Sequence, residues 1–314
     1  MYWLWDILNV RNAQFRSPDA LNSLIGFVSG LGLLPFLLLL SGSNPSVLIV
    51  FCYSLGYSCL VLPLINIAFV SHDRSSQKCG GFENSSRAFF LGLVFALAVL
   101  LSLISIHSDH PKRLWAFSCY ICLLSFFHWS EFYVTAVYNY ANCGVDIYML
   151  THSPEYVMAV IACALEYWIE TLCVPTMLPN YYYPFPLIVN IFGLLLCFGG
   201  EAVRKFAMIT TAQNFNHYVE TERRNEHQLV TSGVYSYFRH PAYVGWLYWT
   251  IGTQVLLGNP ICLIGFTVVG YRFLYGRILH EERHLLYFFG HAYSQYQEKV
   301  GTGIPFIKGY RING

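Results

Sequence analysis

The sequence predicts an all-α, polytopic integral membrane protein of about eight transmembrane helices, ending in a helical hairpin with cytosolic segments around it. Three observations predict it: the composition, a series of long apolar windows, and the placement of lysine and arginine. The 314 residues are 55% hydrophobic and only 11% charged, with mean hydropathy +0.45. A soluble domain carries about 25% charged residues, so this chain cannot cover a folded surface with ionic groups. That excludes a soluble enzyme and a disordered scaffold. Net charge +1 leaves no basic field for phosphates, so no nucleic acid is expected as partner.

Windows of about 20 apolar residues mark the spans. They fall at about 21–41, 46–70, 88–107, 114–138, 154–174, 186–204, 242–258 and 260–279. The first is too long and too late for a signal peptide, and no small-residue cleavage site follows it. Asn44-Pro45 and Asn259-Pro260 read as tight turns, making hairpins of spans one and two and of spans seven and eight. The last two spans are short; each just crosses, or the pair re-enters partway. With eight spans, 15 of the 18 lysines and arginines fall on one side, and only Lys112 and Arg113 fall opposite. That asymmetry puts both termini in the cytosol, and a seven-span count breaks it. The sequon Asn84-Ser85-Ser86 then lies in the cytosol and stays unglycosylated. Eight of the ten cysteines sit in apolar stretches and read as packing residues; Cys119 and Cys122 form a CxxC with no second pair.

Residues 1–200 hold six spans with mostly uncharged connections. Residues 201–314 hold ten of the 15 cytosolic basic residues and a run of glutamates, and form the candidate catalytic region. There Arg239-His240-Pro241-Ala242-Tyr243-Val244-Gly245, an RHPxYxG cluster, enters the hairpin, and His280-Glu281-Glu282 leaves it. Both ends face the cytosol, so the hairpin folds them together. Pro241 suits a first helical turn, and Arg277 and Glu281 share a helix face. A snorkelling rim of mixed charge is the bland reading. It does not account for an Arg, His, Tyr and Gly set meeting two carboxylates at a membrane boundary, where ionisable groups are site candidates.

RHPxYxG, a hairpin and Glu-Glu resemble the membrane methyltransferases typified by isoprenylcysteine carboxyl methyltransferase. The likeness covers about residues 200–310 and includes Gly252–Pro260, Phe288-Phe289-Gly290 and Gly303–Gly309. It implies an endoplasmic reticulum enzyme with a cytosolic active site. Such an enzyme uses S-adenosylmethionine, releasing S-adenosylhomocysteine, to methylate the C-terminal carboxylate of prenylated CaaX-processed proteins such as small GTPases. Its other partner is membrane lipid. The resemblance carries cofactor contacts to Glu220, His227, Gln228, Leu229, Val230, Tyr235, His240, Pro241, Ala242, Tyr243 and Glu281. The family's substrate arginine falls on Arg277, taken here as the catalytic residue. Plain packing accounts equally for Leu229, Val230 and Ala242, and a place in the interfacial tyrosine belt for Tyr235.

The residues are compatible with that chemistry. A nucleotide-type fold needs a strand, a GxG turn and a helix. The Gly30-Leu31-Gly32 and Gly301-Thr302-Gly303 triplets have no such context, so the cofactor site is expected on the hairpin and its flanking loops. Carboxylates of Glu281 or Glu282 accept from hydroxyl or amino groups, and Tyr235 and Tyr243 offer rings to adenine or a sulfonium. A C-terminal carboxyl with pKa ~3.5 is already ionised, so no base is needed; alignment and exclusion of water are the task. Arg277 would orient the carboxylate, with Arg239 and Arg272 as substitutes or as snorkelling groups. Glu131, Glu166, Glu170 and Glu201 in the spans read as structural pairs.

Other functions compete. A phospholipid acceptor fits the same motif, and sterol reductases carry a variant of it. His280-Glu281-Glu282-Arg283-His284 also fits HExxH, the pattern of a zinc protease, but Tyr287 and Gly290 stand where a metzincin needs Gly and His. No metal site is therefore expected. A non-enzymatic lipid-binding or transport protein would show inverted repeats, which this sequence lacks.

Overall fold

The computed structural model describes residues 17–41, 47–70, 78–106, 111–150, 153–177, 187–223 and 227–311. The Asn44-Pro45 turn lies outside them, as do Arg11, Arg16, Arg74 and Arg224. Ten α-helices are found among the described residues, and no strand: α1 (Pro18–Leu31), α2 (Leu34–Ser41), α3 (Val47–Val70), α4 (Gly81–Ile106), α5 (Pro111–Tyr138), α6 (Pro154–Met177), α7 (Leu187–Thr211), α8 (Pro241–Leu257), α9 (Pro260–Phe289) and α10 (His291–Lys299). Helices occupy every stretch read as a span. Six stretches among the described residues are long and apolar enough to cross a membrane, the first running from α1 into α2, so the expected count of eight is not confirmed. The short one is α8, whose 17 residues reach only ~25 Å against a hydrocarbon core of ~30 Å. In α5 the apolar run is diluted by buried Ser118, Ser125, His128, Ser130, Glu131 and Thr135.

The first expected span is two helices. Pro35 has no N–H to give the carbonyl of Leu31, so the chain breaks between α1 and α2. At the break Tyr57 donates its hydroxyl to the carbonyl of Ser29 at 2.7 Å.

The helices fall into two compact units, one within Asn12–His152 and one within Ser153–Gly314. In the first, α1 and α4 pack backbone to backbone. A Cβ on Gly92 would lie 2.1 Å from the carbonyl oxygen of Phe27, so only glycine allows the approach. Across that seam Tyr148 donates its hydroxyl to Asn84 Oδ1 at 2.8 Å, and Asn84 Nδ2 donates to the carbonyl of Asp19 at 2.8 Å. The sequon asparagine is thus fully buried. Cys79 and Cys143, the two cysteines outside the apolar stretches, bring their sulfurs to 3.7 Å in this unit.

In the second unit α7 and α8 make the same kind of seam. A Cβ on Gly245 would come 2.5 Å from the carbonyl oxygen of Gly200, and one on Gly193 would come 2.4 Å from the nitrogen of Leu256. The glycine of RHPxYxG is therefore a packing residue of α8. The α8–α9 turn is closed by Gly258 at φ +76° and by Asn259, which precedes the Pro260 start of α9 and donates its side-chain amide to the carbonyl of Cys163 at 2.9 Å. From α6, Glu166 accepts from the amides of Ile261 at 2.6 Å and Cys262 at 2.7 Å. A carboxylate on the two free amides of a helix start satisfies them and meets the positive end of its dipole. Glu201 is also paired, 3.2 Å from Lys205. For Glu166 and Glu201 the structural reading holds.

Candidate active site

With its turn end fastened, the hairpin brings Arg239–Tyr243 at the start of α8 against Arg277–Glu282 near the end of α9. Two linked networks result, one closed and one open.

The closed network centres on Glu282, whose side chain is 0% exposed. Its Oε1 accepts from Arg239 Nε at 2.8 Å, from His240 Nε2 at 3.0 Å and from the Tyr293 hydroxyl at 3.2 Å. Its Oε2 accepts from Gln297 Nε2 at 3.0 Å and from the Tyr310 amide at 2.7 Å. Arg239 spends its other donors on carbonyls of the C-terminal tail: Gln297 at 3.3 Å, Val300, and Lys308 at 2.9 Å. The Arg239 amide adds a bond to Gly301 O at 2.9 Å. A buried ion pair repays its desolvation only when the remaining donors and acceptors are filled, and here they are. Arg239 is thus the pin of the tail rather than a substitute for Arg277.

The open network begins at Glu281, 29% exposed. Tyr243 donates its hydroxyl to Glu281 Oε2 and accepts from Arg277 Nε at 2.8 Å. One hydroxyl proton permits only this order: arginine to tyrosine to carboxylate. Arg277 gives Nη2 to the carbonyl of His217 and lies 5.6 Å from the Tyr243 ring and 5.9 Å from the Phe273 ring. His240 stacks on Tyr243 with centroids 5.4 Å apart and planes within 7°. Glu282, an acceptor only, places the His240 ring proton on Nε2 and leaves Nδ1 toward Glu281 Oε1, 3.9 Å away.

His240, Tyr243, Glu281 and Arg277 therefore form one contiguous group. Pro241 opens α8, and the Ala242 carbonyl accepts from buried Arg204 at 3.2 Å. Tyr235 joins through its carbonyl, which accepts from the Tyr296 hydroxyl. Its own buried hydroxyl has its pKa pushed up by desolvation, opposed in part by a hydrogen bond with Thr211.

The other expected residues sit further along. His227 meets Phe288 and Phe289 edge-on at 5.7 Å and 5.2 Å. Leu229 packs with Leu286, Tyr293 and Tyr296, and Val230 is half-buried. The Gln228 amide donates to Asn214 Oδ1 at 3.1 Å, and Glu220 accepts from Asn216 Nδ2 at 2.8 Å. These two are tied to the segment that carries His217, whose carbonyl holds Arg277.

Sequence reasoning missed the tail-binding set of Tyr293, Gln297 and Tyr310. Its signal was present: Tyr293, Tyr296 and Gln297 fall on one face of a short helix and all are buried. The stretch after Glu281 is not one helix, because Gly290 at φ +51° ends α9 before α10 begins. Of the HExxH pattern, Glu281 is engaged by Tyr243, and among the described residues no group of three or more His, Cys, Asp or Glu is placed to hold a metal.

The fit of a methyl-donor cofactor rests on what these groups leave over. Among the described residues no hydrogen bond reaches Glu281 Oε1, and the side chain is 29% exposed, so it can accept from a hydroxyl or an ammonium. The stacked His240–Tyr243 pair and the His227–Phe288–Phe289 group offer aromatic surface beside it.

Residues 192–287 match the family model described as the isoprenylcysteine carboxyl methyltransferase (ICMT) family. The chain is 45% identical over 231 residues to the protein-S-isoprenylcysteine O-methyltransferase of Xenopus laevis, covering 74% of this chain and 76% of that one. It is 43% identical over 232 residues to the Homo sapiens protein of that name, covering 74% and 78%. A solved structure of the eukaryotic intramembrane Ras methyltransferase ICMT superposes with TM-score 0.81 at 34% identity, covering 94% of this chain and 99% of that one.

Proposed function

Because the chain belongs to the isoprenylcysteine carboxyl methyltransferase family, we propose that the Arg277–Tyr243–Glu281 run is where it methylates its substrate. The protein is a membrane-embedded protein-S-isoprenylcysteine O-methyltransferase that acts on prenylated proteins. The acceptor is the C-terminal prenylcysteine carboxylate of CaaX-processed proteins such as small GTPases. The donor is S-adenosylmethionine, and the enzyme sits in the endoplasmic reticulum membrane with both termini and the site on the cytosolic side.

The observation that carries the reading is the state of Arg277. Its Nε and Nη2 are fixed by the Tyr243 hydroxyl and the His217 carbonyl. Of five guanidinium N–H donors, those not spent there remain for a carboxylate. A planar fork held in this way orients a carboxylate without needing to move. The acceptor is ionised at neutral pH, so no residue has to remove a proton. When bound, the cofactor supplies an electrophilic methyl group on a sulfonium. Glu281 and the His240–Tyr243 pair hold its polar and aromatic parts. Glu220, His227, Gln228, Leu229, Val230 and Tyr235, with Pro241 and Ala242, would supply the remaining contacts to it.

The test is transfer of radiolabelled methyl from S-adenosylmethionine to a farnesylated cysteine analogue by purified protein, with Arg277→Ala and Glu281→Ala in parallel. Base-labile methyl ester from the unaltered protein, lost in both variants, supports the assignment. Ester formation that survives both changes leaves the reaction standing and overturns the site.

A further inference from the structure

The tail contains a turn that breaks a sequence rule. Residues Ile304-Pro305-Phe306-Ile307 close a β-turn, with the Ile307 amide donating to the Ile304 carbonyl at 3.2 Å. Proline at the second position is ordinary. The third has φ +63°, a position normally given to glycine or asparagine. A phenylalanine there is strained, and strain of this kind is kept where something outside local preference demands the residue. Inside the fold nothing does: Phe306 is 95% exposed, while its neighbours Ile304 and Ile307 are buried.

The depth of the turn says what it faces. Ile304 and Ile307 belong to one apolar cluster with Val244, Leu247, Leu274 and Ile278. Counted from the start of α9 at 1.5 Å per residue, Leu274 lies ~21 Å along and Ile278 ~27 Å. With the start of α9 taken as one edge of the bilayer, both fall within a hydrocarbon core of ~30 Å, where a side chain pointing away from the protein would meet lipid. Two exposed cations follow the turn, Lys308 and Arg311. Aromatic residues beside basic ones are the composition of a membrane–water interface.

We propose that the Ile304–Ile307 turn is a bilayer anchor, in which Phe306 enters the acyl–headgroup boundary beside the hairpin while Lys308 and Arg311 meet lipid phosphates. The anchor seats the tail from outside, as Arg239 and Glu282 hold it from inside. This rests on the membrane placement of the hairpin and not on the reaction assigned above, so either can fail without the other.

The experiment places the photocrosslinker p-benzoylphenylalanine at position 306 of the full chain, reconstituted in nanodiscs of phosphatidylcholine and phosphatidylserine, with position 287 as reference. Tyr287 is 85% exposed but stands ~13 Å further along the helix than Ile278, outside the core. The expected result is a phospholipid adduct at 306 several-fold above that at 287, unchanged by S-adenosylhomocysteine or a farnesylated peptide. Equal lipid labelling at the two positions overturns the proposal. So does crosslinking to a second protein copy, or labelling abolished by S-adenosylhomocysteine, which would put the turn over the cofactor. Because the side chain makes no core contact, Phe306→Asp should fold. In nanodiscs it should open Lys308 to trypsin several-fold faster than Phe306→Leu; equal rates count against an anchor.

Discussion

Within Asn12–His152 the polar interior is built mainly of amides and hydroxyls on closely packed helices: Asn22, Ser23, Asn84, Ser85 and Tyr148 on or beside the α1–α4 seam. Within Ser153–Gly314 the deepest polar group is ionic, and Arg239, His240 and Glu282 draw a loop, a helix end and the tail together. The neutral network needs no charge because glycine already lets its helices touch; its hydrogen bonds set register. The ionic network joins segments with little apolar surface of their own, and its outer edge is left open at Glu281 and Arg277. Buried polarity in a membrane protein thus has two uses, setting the register of packed helices and tying down segments between them.

The widest gap between the two regions should appear with Glu282→Ala. It leaves the Arg239 guanidinium, 1% exposed, without its counter-ion, a loss of about 3–5 kcal/mol. Thermal unfolding in detergent, read beside limited proteolysis of the tail, measures it; an unchanged tail would mean the network is not its anchor. Next comes Arg277→Ala, which should lower kcat/KM for the prenylated substrate by about 10²–10³ while leaving the melting temperature near its starting value. Arg277→Lys should recover little of this, because an ammonium lacks the fork. A loss confined to stability would erase the distinction drawn above.

In the neutral region Gly92→Ala forces a Cβ against Phe27 O and should cost about 1–3 kcal/mol with no change in KM for the methyl donor. A donor-specific KM change would make the first unit part of the site. The smallest effect belongs to Tyr148→Phe, which removes the donor to Asn84 Oδ1 and should cost about 1–2 kcal/mol of stability at constant activity.

The sequence by itself determined the membrane class, the helical stretches, the hairpin and the family. These follow from local quantities: apolar run length, Asn-Pro and proline–helix signals, and a compact motif near position 240. It also placed Arg277 and Glu281 on one helix face, since that requires only a period of 3.6. Only the tertiary structure decided which carboxylate of Glu281-Glu282 is buried and which is open, because neighbours on a helix point about 100° apart and the tail chooses between them. It also decided that Arg239 holds the tail, that Gly245 serves packing against α7, and that Tyr243 stands between Arg277 and Glu281. Each of these depends on a partner dozens of residues away. Hydrophobic periodicity carries no record of such pairings; they are chosen by which donors and acceptors remain to be satisfied once the helices are in place.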